Sequence, residues 1–185
     1  MQASIDARRG LTHAAPATEI ATARTFQDSV DLFRIGAAAV GANPDGIDFT
    51  GPLFQGRHLT DLFTRNAAAD PTSAAHKAGL DAVLANTDTA LGHVWRITPT
   101  HTRLDQIATG ADWLHLNLAA TGQGTATQPL GQALQEFPEM AAHCRAVHDR
   151  LAPAGGTVQM LARVGDGPQV TVSPRWPLDA KVIQG

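Results

Sequence analysis

The sequence predicts an α+β fold, in which helices pack on a mostly antiparallel or mixed sheet. The first half is rich in helix-forming residues, with apolar positions recurring every three or four residues. Two well-separated runs, 91–98 and 158–164, carry the alternation or β-branched enrichment of strands. These runs show no strand-helix-strand rhythm, and no repeat or long linker interrupts the 185 residues. We therefore expect one domain over residues 1–185.

The N-terminal half is predicted to be mostly helical. Residues 19–42 predict one long amphipathic helix, which should stop at the run NPDG of residues 43–46. A second helix is expected to end near Asn66, and Asp70 and Pro71 are predicted to open a third as N-cap and first helical residue. The recurring apolar positions of the first helix are Ile20, Phe26, Val30, Phe33 or Leu32, and Ala37.

A long central helix is predicted after the first strand. Pro99 closes that strand, whose apolar face is either that of Val94 or that of Trp95 and Ile97. Thr102 is a suitable N-cap, with Asp105 in the first turn, where a negative charge suits the helix dipole. One apolar stripe then covers about five turns and ends before Gly122, a suitable C′ residue. Its members are Leu104, Ile107, Ala108, Ala111, Leu114, Leu118 and Ala119.

The C-terminal third predicts one more helix and two strands. Pro138 is expected to open a helix that runs through Leu151, before Pro153 and two glycines. A strand is predicted over residues 158–164, and a third, short strand over residues 170–172.

Composition excludes several function classes. With 43% apolar and 17% charged residues, the chain has the balance of a soluble globular protein, and no stretch is long and apolar enough to span a bilayer. A net charge of −3 without a Lys/Arg cluster argues against nucleic-acid binding. Partners are expected to be small molecules or another copy of the chain. Cys144 is the only cysteine and no signal peptide is evident, so we expect a cytoplasmic protein.

Two glycine-containing runs have alternative interpretations. The run GQGTAT of residues 122–127 lacks the third glycine of a dinucleotide fingerprint and follows a helix, so a helix C-cap and tight turn is favoured. Gly165 and Gly167 either allow the backbone to approach a planar ring or form a plain turn.

Two arginines are candidate ligands for a phosphate. Arg175 stands between Pro174 and Trp176-Pro177, and a guanidinium held on a stiff segment loses less entropy when it grips an anion. The alternative is a solvated surface arginine. Arg163, on the strand of residues 158–164, is a second and weaker candidate. No metal site is predicted, because His143 and His148 are five residues apart on different helix faces.

The segments just described carry a family resemblance. The runs DWLHLNLAATGQGTATQPLGQALQEFPEM, TVQMLARVGDGP and SPRWPLDAK, within residues 112–181, resemble the C-terminal half of nitroreductase-like flavoproteins. The similarity is to the long forms made of two fused nitroreductase-type halves. DLFRIGAAAVGANPDGIDFTGPL and VWRITPTHTRLDQIATGADW extend it over most of the chain. Asp166 departs from the family, in which an aromatic residue is common at that position.

The resemblance implies an FMN-dependent oxidoreductase. Such flavoproteins take electrons from NADH or NADPH and pass them to nitro, quinone or similar acceptors by a ping-pong cycle. The flavin performs the chemistry, so the resemblance names no catalytic side chain. It implies that Gln128, Pro129 and Leu130 line the flavin pocket and that Arg175 contacts the FMN phosphate. Arg163, Gly165 and Gly167 complete the expected cofactor-binding set.

The resemblance also implies a homodimer. The flavin site of this family lies between two nitroreductase-type halves, so a single half should expose a broad apolar face formed by the helix around Leu104–Ala119 and by adjoining helices. The Arg-rich N-terminal segment that anchors the FMN phosphate in the family has no match here, since Arg8-Arg9 is followed by Gly10-Leu11-Thr12. The alternatives are a non-catalytic relative that binds or sequesters flavin or serves as an interaction module, and a small α+β protein with an unrelated ligand.

Overall fold

A computed structural model describes residues 2–47, 49, 51–167 and 172–182. Within these ranges the chain is α+β with a three-stranded antiparallel sheet, which confirms the predicted fold class. The helices are α1 Gln2–Ala21, α2 Ala23–Asp31, α3 Ala37–Ala42, α4 Pro52–Leu59, α5 Arg65–Ala69, α6 Ala74–Asp88, α7 Arg103–Gly122 and α8 Ala141–Leu151. The strands are β1 Gly92–Thr98, β2 Ala126–Pro129 and β3 Thr157–Gly165. Short 3₁₀ turns occupy Gly131–Leu134, Pro138–Met140 and Leu178–Ala180.

The described chain forms two compact units. The first contains Met1–Thr22 and Leu80–Pro168, and the second contains Ala23–Gly79 and Gln169–Gly185. The expectation of a single domain over residues 1–185 stays a prediction. No helix in the described ranges has both the length and the apolar character needed to cross a bilayer.

The sheet of the first unit has the order β1-β3-β2, and both pairings are antiparallel. Gly92 pairs with Val164 at one end of β1, and Thr98 pairs with Thr157 at the other. The register shifts between Arg96 and Ile97, as at a β-bulge. β3 is the central strand because it pairs with both neighbours.

The core of the first unit lies between the sheet and helices α1 and α8. Its most deeply buried large side chains are Met140, Val147 and Leu161, each at 1% exposure or less. Trp95 and Ile97 of β1 pack against this core. Val94 and Arg96, which alternate with them, line a pocket with α7, and Trp95 borders this pocket as well as the core. Because side chains alternate along a strand, α7 covers the opposite face of the sheet.

Helix α7 begins as predicted. The Thr102 hydroxyl accepts a hydrogen bond from the Asp105 amide, and the Asp105 carboxylate accepts one from the Thr102 amide, which together form a capping box. The predicted end is wrong by two residues. Gly122 lies within the helix, Gln123 is the C-cap, and Gly124 adopts the left-handed conformation at φ 72°.

The apolar stripe of α7 is exposed over the described chain. Its large members are Leu104, Ile107, Leu114 and Leu118, which are 57–78% accessible, and its three alanines are exposed too. Their spacing of three and four residues places them on one face of the helix, away from the buried Thr109. The part of the predicted apolar face that lies on this helix is therefore exposed. We call these seven residues the α7 stripe.

The second unit is organised by an aromatic cluster. The rings of Phe33, Phe49, Phe54 and Phe63 form five contacting pairs, with centroids 5.0–6.5 Å apart. Offset and edge-to-face pairs of this kind stabilise a fold beyond the area that they bury. His76, in the first turn of α6, is buried, and its Nδ1 lies 2.9 Å from the Ala68 carbonyl oxygen.

Three helix predictions in this half are wrong in their bounds. Residues 19–42 form parts of three helices, because the helical pattern is broken at Thr22 and again before Gly36, whose φ is 83°. The helix expected to end near Asn66 instead ends at Leu59, with Asp61 at φ 56°.

The third helix begins later than predicted. Asp70 accepts hydrogen bonds from the Thr72 amide and hydroxyl, which forms a local turn and not a helix cap. The Ser73 hydroxyl oxygen accepts from the His76 amide, so α6 starts at Ala74. The predicted short strand at 170–172 lies outside the described residues, apart from Val172, which has no regular structure.

Candidate functional site

A cleft of about 280 Å³ opens where β2 meets the end of β3. Four predicted cofactor residues line it together: Gln128, Arg163, Gly165 and Gly167. Asn86 at the end of α6 and Thr89 in the following turn add polar groups. We call this feature the β2–β3 cleft. It is brought together by the antiparallel register, in which Gln128 pairs with Arg163 and Ala126 pairs with Gly165.

Arg163 is the centre of the cleft's polar network. Its Nε donates to Gln128 Oε1 at 2.6 Å, its Nη1 to Thr89 Oγ1 at 3.2 Å, and its Nη2 to Asn86 Oδ1 at 3.2 Å. All three acceptors are neutral, so they fix the guanidinium plane without compensating its charge. Burial lowers the pKa of Arg163, yet an arginine stays protonated in proteins. The cleft thus presents one oriented cation.

The cleft also contains an opposing charge. Asp166 lines it and is exposed. An anionic ligand would therefore meet one attractive and one repulsive side chain. This arrangement favours a ligand with polar, hydrogen-bonding edges over a bare phosphate.

Packing leaves little room for a side chain at Gly165 and Gly167. A Cβ at Gly167 would lie 2.5 Å from the Ala126 Cβ, and one at Gly165 would lie 3.2 Å from the Leu91 Cγ. Neither glycine adopts a positive φ. These contacts favour the plain-turn interpretation, in which the glycines let the end of β3 approach its neighbours.

The other predicted cofactor residues lie elsewhere. Pro129 is exposed at the end of β2, paired with Ala162. Leu130 is 6% exposed and belongs to the core, and its amide donates to the Leu161 carbonyl at 2.8 Å. Neither lines the cleft. Leu130 acts instead as the anchor that ties the end of β2 to β3.

Arg175 belongs to the second unit. It is exposed, and its Nη1 donates to the Pro174 carbonyl at 3.2 Å. Its guanidinium lies against Gly46, where any Cβ would lie 2.1 Å from Nη1. Gly46 has φ 100°, so this turn needs glycine for its backbone as well. In the described ranges no acidic side chain forms an ion pair with Arg175.

A second pocket of about 280 Å³ lies between α7 and the sheet. Its walls are mainly apolar, and its lining residues are Val94, Trp95, Trp113, Leu116 and Met160 with Arg96, Thr109 and Asp112. Sequence reasoning missed this pocket. The available signal was the second face of α7, on which Thr109, Trp113 and Leu116 recur at three- and four-residue spacing opposite the apolar stripe.

No nucleophile or metal centre stands out in the described ranges. Burial raises the pKa of the Cys144 thiol, which keeps it protonated and unreactive at neutral pH. Its neighbour His148 is structural, since Nε2 accepts from the Val158 amide at 3.0 Å and Nδ1 lies 2.9 Å from the Cys144 carbonyl. No three His, Cys, Asp or Glu side chains of the described chain converge as a metal site requires.

Comparison with known proteins adds no relative. No protein-family model, curated protein or solved structure matches this chain. The resemblance to nitroreductase-like flavoproteins stays a prediction.

Proposed function

We propose that this chain is an FMN-dependent oxidoreductase of the nitroreductase type, which takes electrons from NADH or NADPH and passes them to nitro, quinone or similar acceptors. The proposal includes a homodimer in which two copies complete the flavin site. The observation that carries it is the convergence of Gln128 and Arg163, two predicted cofactor residues, in the β2–β3 cleft.

The cleft fits one part of a flavin and not the whole molecule. Pockets that enclose a drug-sized ligand measure about 300–1,000 Å³, and this cleft is slightly smaller. Its amide, hydroxyl and guanidinium groups match the polar edge of an isoalloxazine ring. The remaining surface of the flavin would have to be covered by other residues, which a second copy can supply.

When bound, FMN supplies the hydride and electron transfer, and the chain supplies binding, orientation and charge. Arg163 and Gln128 would hold the polar edge of the ring. A fixed cation at that edge favours uptake of electrons, because it stabilises added negative charge in a partly desolvated place. Thr89 and Asn86 keep the guanidinium in one orientation. Arg175 remains the proposed contact for the FMN phosphate.

The exposed α7 stripe supports the homodimer. Contiguous apolar patches beyond a few hundred Å² are rare on monomers and mark association sites. A two-fold pairing would use the same helix face on both copies, as in most protein dimers.

Flavin retention tests the proposal. The purified chain is incubated with excess FMN and passed over a gel-filtration column, and its visible absorption is recorded. We expect retained flavin in the wild type, at least tenfold weaker binding in Arg163→Gln, and an intermediate affinity in Arg163→Lys, which keeps the charge but not the fork of donors. The matched control is Arg150→Gln, an exposed arginine in the last turn of α8.

Two outcomes would contradict the flavin site. A wild-type chain that emerges colourless has no stable flavin site, and an Arg163→Gln variant that binds FMN as tightly as wild type places that site elsewhere. Arg175→Ala then tests the phosphate contact separately, since its loss should weaken FMN binding more than riboflavin binding.

The second candidate is a relative that binds or sequesters flavin without turnover. It is favoured by Asp166 in the cleft and by the packing role of the two glycines, which leaves Gln128 and Arg163 as the cleft's predicted flavin contacts. The two candidates differ in one assay. Oxidation of NADH or NADPH that needs both added FMN and an acceptor supports the enzyme, whereas flavin retention without such turnover supports the binding protein.

A further inference from the structure

A third pocket, of about 340 Å³, lies in the second unit, where α5 begins. It combines an apolar part with a polar part, and none of the described residues that line it is acidic. Its volume falls within the range of small-molecule sites, and a cavity of about 150 Å³ already holds benzene. We call it the α5 pocket. Its lining residues are Phe33, Ile35 and Ala39, which are apolar, and His58, Thr64, Arg65 and Asn66, which are polar.

Arg65 brings an oriented cation to this pocket. Its Nε and Nη2 both donate to the Phe33 carbonyl oxygen, at 3.2 and 2.7 Å. These bonds use one edge of the guanidinium and hold its plane, while the edge formed by Nη1 and Nη2 keeps donors for a ligand. No acidic side chain of the described chain forms an ion pair with Arg65, so its charge stays available to an anion. Two parallel N–H groups match the geometry of a carboxylate.

The ring of His58 and the amide of Asn66 add hydrogen-bonding groups. His58 Nδ1 is shut off from solvent and has no partner in the described chain, so a ligand could contact this ring only through Nε2. The side chain of Asn66 is exposed and carries two amide donors. A single arginine matches one negative charge, whereas phosphate groups are typically bound by clusters of arginines. The polar part therefore favours a monoanion.

The apolar part is held in place by the aromatic cluster. The centroid of the Phe33 ring lies 5.0 Å from that of Phe49 and 6.5 Å from that of Phe63. A wall that is already fixed loses little freedom when a ligand packs against it. Phe33 thus contributes to both parts of the pocket, because its carbonyl group also orients Arg65. A ligand that uses both parts needs an apolar body as well as a negative charge.

We propose that the α5 pocket binds a small aromatic monocarboxylate. Its carboxylate pairs with the free edge of Arg65, and its ring packs against the apolar part of the pocket. The α5 pocket shares no lining residue with the β2–β3 cleft. The proposal therefore rests neither on flavin binding nor on association.

Benzoate and benzamide test the proposal, because they share a ring and nearly the same shape but differ in charge. Each is titrated into the isotope-labelled full chain without added flavin, and the NMR shifts of the backbone amides give both affinities. We expect wild type to prefer benzoate. Arg65→Gln should lower that preference about threefold to tenfold, a modest factor because Arg65 is exposed and water screens its charge. Arg65→Lys, which keeps the charge but not the fork of donors, should be intermediate.

The matched control is Arg150→Gln, which removes the same charge from an exposed position on α8 and should leave the ratio of affinities unchanged. Acetate keeps the carboxylate but lacks the ring, so it should bind wild type about tenfold more weakly than benzoate, or weaker still. Because the ratio of benzoate to benzamide affinity is taken within each variant, a loss of stability in Arg65→Gln does not mimic the expected result.

Four results would overturn the proposal. Benzoate that does not bind wild type, or that binds no better than benzamide, leaves no carboxylate site. An Arg65→Gln variant with the wild-type ratio removes the arginine from the site. Acetate that binds as tightly as benzoate shows that the apolar part contributes nothing.

Discussion

The hydroxyl of Thr109 is buried, and no group of the described chain forms a hydrogen bond with it. Leaving a buried hydroxyl unpaired costs about 1–3 kcal/mol by mutational measures. We expect Thr109→Val, which has almost the same shape, to raise the free energy of unfolding of the ligand-free chain by about 1 kcal/mol. Urea denaturation measures this change. Thr121→Val, at an exposed position, should stay within about 0.5 kcal/mol of wild type. A destabilised Thr109→Val would show that the hydroxyl is satisfied in solution.

Asp105 ties the start of α7 to the preceding loop and gives this end of the helix a pH dependence. Hydrogen bonds from the Thr100 hydroxyl and then from the Thr102 hydroxyl and amide lower the pKa of its carboxyl below 3.8. Because the pKa of Asp105 is lower in the folded state, the stabilisation that its carboxylate provides is complete above the pKa of the unfolded state. It is lost as the pH falls through the folded value.

We therefore expect Asp105→Asn to be less stable than wild type at pH 7, with a difference that shrinks as the pH falls below 3.8. Chemical denaturation at several pH values measures it. Asp149→Asn, exposed on α8, is the matched control and should show no such convergence. A difference that is constant from pH 7 to pH 2 would refute the role of the carboxylate.

The turn between α8 and β3 contains two glycines with nearly the same positive φ but different surroundings. Gly155 and Gly156 have φ 95° and 96°. A Cβ at Gly155 would meet open space, whereas one at Gly156 would lie 2.7 Å from the Thr98 carbonyl oxygen. Gly155→Ala should cost about 1–2 kcal/mol for the left-handed backbone alone. Gly156→Ala should cost clearly more, because β1 and β3 must separate. Thermal and urea unfolding measure both, and equal costs would contradict the close approach.

Among the secondary-structure elements, the sequence predicted best those whose bounds depend on local signals. The cap at Thr102, the end of α3 before Pro44 and the strand over 158–164 needed only capping, proline and β-branched patterns. These local patterns did not predict that residues 19–42 are divided among three helices. Their apolar spacing continues through Thr22, while the break before Gly36 depends on tertiary contacts such as the parallel bridge from Ile35 to Phe49.

The candidate sites likewise combine residues that the sequence predicted with positions that only the tertiary structure determines. Gln128 and Arg163 were predicted as separate residues, and only the antiparallel register of β2 and β3 brings them opposite each other. Leu130 was predicted to line a pocket but is buried in the core, because the chain leaves β2 after Pro129 and enters the 3₁₀ turn Gly131–Leu134. No sequence pattern marked Thr109, because its burial depends on the sheet that covers it.

At the scale of the whole molecule, the question is what covers the α7 stripe. Leu104, Ile107, Leu114 and Leu118 are exposed in the described chain, and each large apolar side chain fully buried contributes about 1.5–3 kcal/mol. Three of them would already offset part of the entropy that association costs. The stripe runs from Leu104 to Ala119 and none of its members is charged. We therefore expect a dimer at micromolar concentration, through this helix face.

The double variant Ile107→Asp, Leu114→Asp tests that expectation. Two like charges on each copy would be buried against each other, so the dimer should dissociate at least tenfold more readily while the monomer keeps its fold, because both positions are at least 57% exposed. Sedimentation velocity over a concentration series measures the change. Ala146→Asp, exposed on α8, is the control and should remain a dimer. If dimer and flavin retention are lost together, the second copy completes the flavin site. A wild-type chain that stays monomeric at every concentration would refute the interface, and flavin bound to that monomer would show that one copy holds FMN unaided.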